Sequence, residues 1–365
     1  MKIFLLLVTA LTCCFAAIAQ KQERPVSVAV IGLTHTHVHW ILGRKDRGDI
    51  TLVGIVESNL DLARRYTQQH GLPMDMVYPT MEAMMAKVRP EAVTVFGTIY
   101  DHLEVVAFFA PKGIHVMVEK PLAVSLLHAR KMHALAEKYK IHLLTNYETS
   151  WYGSNQRAWQ LIHEDSLIGD IRKMVLHHGH PGPKEIGVNI EFLEWLTDPV
   201  RNGAGALTDF GCYGANLATW MMKGQKPHSV FAMTDTHKPA IYPRVDDEAT
   251  ILLQYPKAQV VIQASWNWPV SRKDMEVYGE RGQLFADNGS TLRYRLDDLA
   301  QEVIWKDLQS SPPQDDPFTL LASVVRGQLK PWDNDLSSLQ NNMVVMEILQ
   351  AAMKSSRTGK RVKLR

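Results

Sequence analysis

The chain has 365 residues, long enough for two domains that each bury a core of their own. Its 46% apolar and 21% charged residues are ordinary for a globular protein. A formal net charge of +2, with no long run of one sign, gives no electrostatic basis for a nucleic-acid partner.

Residues 1–19 carry Lys2, then an uncharged apolar run that closes on Ala17-Ile18-Ala19, a small-x-small pattern suited to signal peptidase. The run is short for a membrane span, which needs roughly 20 apolar residues. It reads as a cleaved secretory signal, which makes the mature protein periplasmic or secreted. Cys13 and Cys14 raise a lipoprotein alternative, but neither is preceded by small residues as a lipobox requires. Cleavage after Ala19 leaves Cys212 as the one cysteine of the mature chain, with no intramolecular disulfide partner.

Beyond the signal, short apolar strands alternate with helices. The β-branched run 26–31 ends in Gly32 and predicts a buried parallel strand. Strands are predicted at 51–56, 92–96, 115–118 and 141–144, and helices at 60–70, 102–110 and 125–140. Gly71, Pro73, Pro111 and Gly113 mark two of the helix ends. This alternation predicts βαβ units and a Rossmann-type parallel sheet over 25–147, with ligands at the carboxyl ends of its strands. The remainder, 148–365, reads as an α+β domain. Successive strands at 171–177, 229–236, 250–255, 259–265 and 275–278 imply a mostly antiparallel open sheet. One helix is predicted at 206–222. Another, at 336–355, bears the packing stripe Leu339, Met343, Met346 and Leu349.

Glu119-Lys120-Pro121 follows the fourth strand, and His102 stands on the helix before it. Further along come Gly205-x-x-x-Asp209-x-Gly211-x-Tyr213, Asp246-Asp247, Ala264-Ser265-Trp266 and Ser356-x-Thr358-Gly359-Lys360. This ordered series resembles the Gfo/Idh/MocA family of glucose-fructose oxidoreductases and inositol dehydrogenases, over nearly the whole mature chain. The resemblance implies an NAD(P)-dependent sugar or polyol oxidoreductase whose substrate lies between the Rossmann domain and the open sheet. It implies a homo-oligomer built through that sheet. It also assigns Tyr213 to proton transfer and Asp209 to orienting the substrate, and it places Thr98, His102 and Glu119 beside the cofactor.

The residues carry the same chemistry on their own. Lys120 follows a strand that ends at the ligand edge, where it can hold a reacting hydroxyl and donate a proton to an oxyanion. Glu57, ending the second strand, is placed to accept from ribose hydroxyls, which favours NAD over NADP. The phosphate loop departs from the three-glycine fingerprint. It reads Gly32-Leu33-Thr34-His35-Thr36-His37, with Thr34 and His37 at the second and third glycine positions. The helix N-terminus behind it still offers amide donors to an anion. A second departure is Glu148, where relatives often carry a basic residue near the substrate.

These departures bring His35, His37, His39, His177, His178, His180 and Glu148 toward the site. Imidazole and carboxylate suit zinc or another divalent metal, with His35, His37, Glu148 and His180 as the set. Against this, an alternating His-x-His-x-His sends its side chains in different directions. Three readings follow. The first is an exported oxidoreductase acting on a sugar or glycoside hydroxyl, with tightly bound NAD and with Lys120, Asp209 and Tyr213 as catalytic groups. The second is a metal- or acid/base-dependent lyase or hydratase on keto-sugars or keto-glycosides, in which Lys120, Tyr213 and a histidine or Glu148 abstract a proton next to a carbonyl; Glu148 and His180 are the candidate substrate residues. The third is a catalytically silent carbohydrate-binding protein. Trp151, Trp195, Trp266 and Trp268 are candidate stacking surfaces for sugar rings.

Overall fold

A computed structural model describes residues 24–331 and 334–364. The expected signal segment, 1–19, lies outside the described residues. The first sheet comprises β1 (Val26–Ile31), β2 (Ile50–Val56), β3 (Val77–Tyr78), β4 (Ala92–Val95), β5 (His115–Glu119) and β6 (Leu143–Asn146). These strands pair in parallel in the order β3-β2-β1-β4-β5-β6, the arrangement of a Rossmann sheet. The strand order reverses between β1 and β4, and ligands of such sheets bind at that switch point. Between the strands run α1 (His39–Leu42), α2 (Leu60–His70), α3 (Met81–Met85), α4 (His102–Phe109) and α5 (Leu126–Tyr139). Asn59 and Ser125 cap α2 and α5 through their side chains, and Gly71 ends α2 in the left-handed region.

Helix α6 (Gly153–His163) leads from the first sheet to the second, and α7 (Ile190–Leu196), α8 (Ala206–Asp209) and α9 (Gly211–Met221) follow between the first two strands of the second sheet. The second sheet has nine strands, β7 (Ile171–Gly179), β8 (Ser229–Asp235), β9 (Glu248–Gln254), β10 (Gln259–Ser265), β11 (Arg272–Gly279), β12 (Gln283–Ala286), β13 (Leu292–Arg295), β14 (Val303–Trp305) and β15 (Val362–Lys363). Their pairing is antiparallel except between β7 and β10, which run in parallel. The fold is therefore α/β, a parallel Rossmann sheet followed by a mostly antiparallel mixed sheet.

Two late helices tie the halves together. In α10 (Pro317–Val325), Phe318, Leu320, Leu321 and Val324 enter the core formed by Val26, Val28, Val30 and Ile55 of the first sheet. The long α11 (Leu339–Thr358) packs on α5 and β6 on one side and on α9 and β8 on the other. Among the described residues, no helix is long and apolar enough to cross a membrane.

The predicted helix over 206–222 is broken. Asp209 closes α8, and its carbonyl turns aside to accept from the Lys120 ammonium at 3.2 Å instead of continuing the helix. Phe210 forms the junction, and α9 restarts at Gly211.

Candidate active site

Lys120 directly follows β5, so its amide is fixed by the sheet edge, donating to the Asn146 carbonyl at 3.1 Å. Its side chain is buried and donates to Asp209 Oδ1, while Asp209 Oδ2 accepts from the Trp266 indole N–H at 2.9 Å. Asp209 is held there by its own helix start. The Asp246 carboxylate accepts from the amides of Gly205 and Leu207, at 2.8 and 2.7 Å, and so caps α8. Gly205 is required, because a Cβ there would lie 1.8 Å from the Asp246 carbonyl oxygen. Asp247 instead accepts from His237 and Lys238 amides and acts on the fold.

Burial alone would lower the Lys120 ammonium, but the Asp209 carboxylate outweighs it and holds Lys120 above its ordinary value. Burial likewise pushes Asp209 up, and Lys120 with His180 pulls it below the usual carboxylate range. The two form an ionised pair. Tyr213, also buried, presents its ring 5.2 Å from the Lys120 Nζ. Burial and nearby carboxylates raise its phenol well above the ordinary value, so it stays a neutral donor. Lys120, Asp209 and Tyr213 are thus brought together, although Asp209 and Tyr213 do not share one continuous helix.

A second network starts at Glu119. Its Oε1 accepts from the Asn146 amide group, and Asn146 Oδ1 accepts from the Trp151 indole at 3.0 Å. Glu119 Oε2 lies 3.1 Å from His37 Nδ1. The other ring nitrogen of His37 stands 4.0 Å from Glu148 Oε2. Glu148 pairs with Lys273 on β11 at 2.5 Å and accepts from Tyr152. Burial works to raise its carboxyl, yet Lys273 and the Tyr152 hydroxyl bring it down to about 2. Lys273 restores a basic group opposite Glu148 and also faces the Tyr213 ring at 5.6 Å. No spacing motif marks it, because it is one lysine on a strand distant in sequence.

The loop after β1 explains why two of its histidines converge. It turns as a 3-10 helix at Thr36–Val38, which brings the His35 and His37 rings to 4.5 Å in an edge contact. His39 turns away, 2.8 Å from His70. The expectation that all three point apart holds only for His39. His180 does not join the loop histidines. It packs edge-on against Phe210, and burial lowers its imidazole to about 4 despite the nearby Asp209 carboxylate. The expected metal set is therefore corrected: His35 and His37 gather with Glu119, and Glu148 stands behind His37.

Gly32 has φ +78°, and a Cβ there would meet Gly97 at 2.7 Å, so β1 and β4 approach closely only through glycine. Glu57 is buried, with Oε2 accepting from the Leu33 amide and Oε1 from Asn59. Thr98 caps the turn before α4 and donates to Asp101, and His102 is buried with Nδ1 3.1 Å from the Leu122 carbonyl. Of the four tryptophans, Trp195 and Trp266 are buried with their N–H groups engaged. They cannot be open sugar platforms. Arg272 covers a face of Trp268 at 4.6 Å.

Helix α7 lies over the loop. The Trp195 N–H donates to Thr34 Oγ1 at 3.0 Å, and Phe192 packs on the His35 ring. Asn189 donates to Tyr66, and Glu191 pairs with Arg65, both on α2. Nothing in the amino-acid pattern of α7 signals this role, which arises only when the two halves meet.

A Rossmann switch point with a buried Lys–Asp pair and a phenol at its edge defines a nucleotide-dependent oxidoreductase class. Residues 26–147 match the family model described as an oxidoreductase family with an NAD-binding Rossmann fold, and residues 155–285 match the GFO/IDH/MocA C-terminal domain. The chain belongs to the GFO/IDH/MocA family of oxidoreductases.

The chain is similar to trans-1,2-dihydrobenzene-1,2-diol dehydrogenases. It is 27% identical to that of Xenopus tropicalis over 60% of this chain and 61% of the relative. It is 26% identical to that of Homo sapiens over 63% and 64%. The alignments thus span less than two thirds of these relatives. Among solved structures, it shares its fold with an aldose-aldose oxidoreductase from Caulobacter crescentus complexed with glycerol. That match has a TM-score of 0.77 and 20% identity, covering 93% of this chain and 100% of that one. An inositol dehydrogenase homolog from Azotobacter vinelandii, complexed with NAD+, gives 0.78 and 18% over 93% and 98%. These oxidoreductase relatives lend no support to a lyase.

The adenosine half of a dinucleotide fits the residues present. Glu57 keeps acceptor capacity beyond its two amide bonds, which suits the ribose hydroxyls of NAD. At the pyrophosphate position, the amides of Leu33, His35 and His37 are already paired within the protein.

Proposed function

We propose that this protein is an exported, NAD-dependent dehydrogenase of a sugar, glycoside or diol hydroxyl. The observation that carries the reading is the buried Lys120–Asp209 pair beside Tyr213 at the carboxyl end of β5. When bound, the nicotinamide supplies the hydride acceptor. Asp209 keeps the Lys120 ammonium aimed and charged, Tyr213 adds a neutral hydroxyl, and Lys120 exchanges the proton of the reacting hydroxyl. In the reducing direction the charged form is ready to protonate an alkoxide. In the oxidising direction it must first release its proton. Glu148 and Lys273 supply an acceptor and a donor for further hydroxyls, the pattern a polyol needs.

For the exported protein we propose that the cofactor is tightly retained and recycled by a second substrate, since a freely exchanging NAD pool is not expected outside the cytoplasm. Extraction of the denatured protein is expected to release NAD(H), and calorimetry on the stripped protein to show dinucleotide binding. Nicotinamide absorbance should then respond to a sugar or diol from a substrate panel. Absence of both bound and bindable dinucleotide overturns the reading. N-terminal sequencing of the secreted product is expected to begin at Gln20, and a product that retains residues 1–19 refutes the cleaved signal.

A further inference from the structure

We infer that His35, His37 and Glu119 form a binding site for one divalent transition-metal ion, with zinc the best match. The inference deepens the proposed reading only in placing the ion in the same cleft, and its test needs no cofactor. The three side chains reach one point from two elements, the loop after β1 and the end of β5. Glu119 Oε2 lies 3.1 Å from His37 Nδ1 and 4.0 Å from His35 Nε2, and all three ligand atoms fall within 4.8 Å of one another. Ligands bound at roughly 2.0–2.2 Å in a tetrahedron stand a little over 3 Å apart, so a small contraction closes the set.

The second observation is His35 Nε2. It is buried and has no hydrogen-bond partner, although His35 itself is only 2% exposed. A buried polar nitrogen left this way calls for an explanation. Here it is aimed at the Glu119 carboxylate, where an ion would satisfy it. The outer contacts match those of metal sites, in which the ligands are themselves held by hydrogen bonds. Glu119 is held by Asn146, which is held in turn by Trp151. The far nitrogen of His37 faces the Glu148 carboxylate at 4.0 Å, a carboxylate–histidine–metal arrangement after a slight shift. Ligation has one cost. In the metal-free protein, His35 Nδ1 accepts from the His37 amide at 3.1 Å, which puts the ring proton on Nε2. Metal binding moves the proton to Nδ1 and gives up that hydrogen bond, a loss set against three new metal–ligand bonds.

Two imidazoles and one carboxylate suit zinc and leave a fourth position free, as in catalytic sites. Glu119 precedes Lys120, so the free position can take a hydroxyl oxygen of the polyol or the carbonyl oxygen of its oxidised product. The test uses the full mature chain, stripped with chelator and titrated with Zn2+ alone in a calorimeter. One ion per chain is expected, and a Co2+ titration should give the strong visible absorption of a tetrahedral site. His37→Ala and Glu119→Gln should each weaken Zn2+ binding by about a hundredfold or more, beyond what outer-contact changes cause. His39→Ala should leave it unchanged. Should either variant fail to fold, X-ray absorption on the zinc-loaded wild type still decides, with two imidazoles and carboxylate oxygen expected. No binding, binding that survives both substitutions, or a shell containing thiolate or oxygen alone overturns the inference.

Discussion

At the scale of single residues, the Lys120–Asp209 pair governs both proton exchange and local stability. Lys120→Met is expected to lower turnover by roughly 10²–10⁴-fold, the usual contribution of a general acid-base group. It should also cost stability. Although methionine fills much of the lysine volume, the substitution leaves a buried carboxylate unpaired, which costs about 3–5 kcal/mol. The double variant Lys120→Met/Asp209→Asn should recover much of that stability and none of the turnover. Denaturant unfolding of the three proteins checks this, and equal stabilities would show that the pair is not ionised. The pH profile follows from the same pair. Because Asp209 raises Lys120, the neutral amine needed for oxidation becomes populated only as pH rises. Oxidation kcat/KM is therefore expected to climb into the alkaline range while reduction declines. A flat oxidation profile would remove Lys120 from the proton path.

At the scale of elements, the sequence exposes what local chemistry controls. The run 26–31 is β1, and Gly71 ends α2, because β-branched residues and glycine act within a few residues of themselves. The break between α8 and α9 is invisible to periodicity, since the partner diverting the Asp209 carbonyl is a lysine 89 residues away. The same holds for α7 over the phosphate loop and for Lys273 opposite Glu148. Both contacts cross from one half of the chain to the other. Two loop substitutions test these elements. Thr34→Gly removes the acceptor for Trp195 and the Cβ at the second glycine position, so dinucleotide should bind more tightly by calorimetry. Weaker binding would mean that α7 supports the cofactor rather than covering its place. Gly32→Ala forces a positive φ on a side chain that collides with Gly97, and a loss of about 1–3 kcal/mol is expected in denaturant unfolding. An unchanged midpoint would show that this loop relaxes freely.

At the scale of the molecule, α10 is fastened to the first sheet by ion pairs as well as by its apolar face. Arg326 holds Glu91 down to about 2, helped by Ser27. Arg44 bridges Asp49 and Asp316, and although burial pushes Asp49 up, Arg44 and Thr319 bring it to about 2. Depressed carboxylates stabilise the fold above the unfolded value of about 4, and that contribution fades as pH falls toward 2. Hydrogen exchange of 317–325 is thus expected to accelerate over this window before the rest of the first sheet opens. Simultaneous opening would show that the latch is apolar. The return of α10 also sets an order of assembly. One face of β1 and β2 is covered by residues made some 270 positions later, and α11, made later still, is what joins the sheets. The half synthesised first is the half completed last. A nascent chain released before residue 317 has an uncovered sheet face, so its first half stays an unfinished, aggregation-exposed polypeptide until α10 and α11 are made.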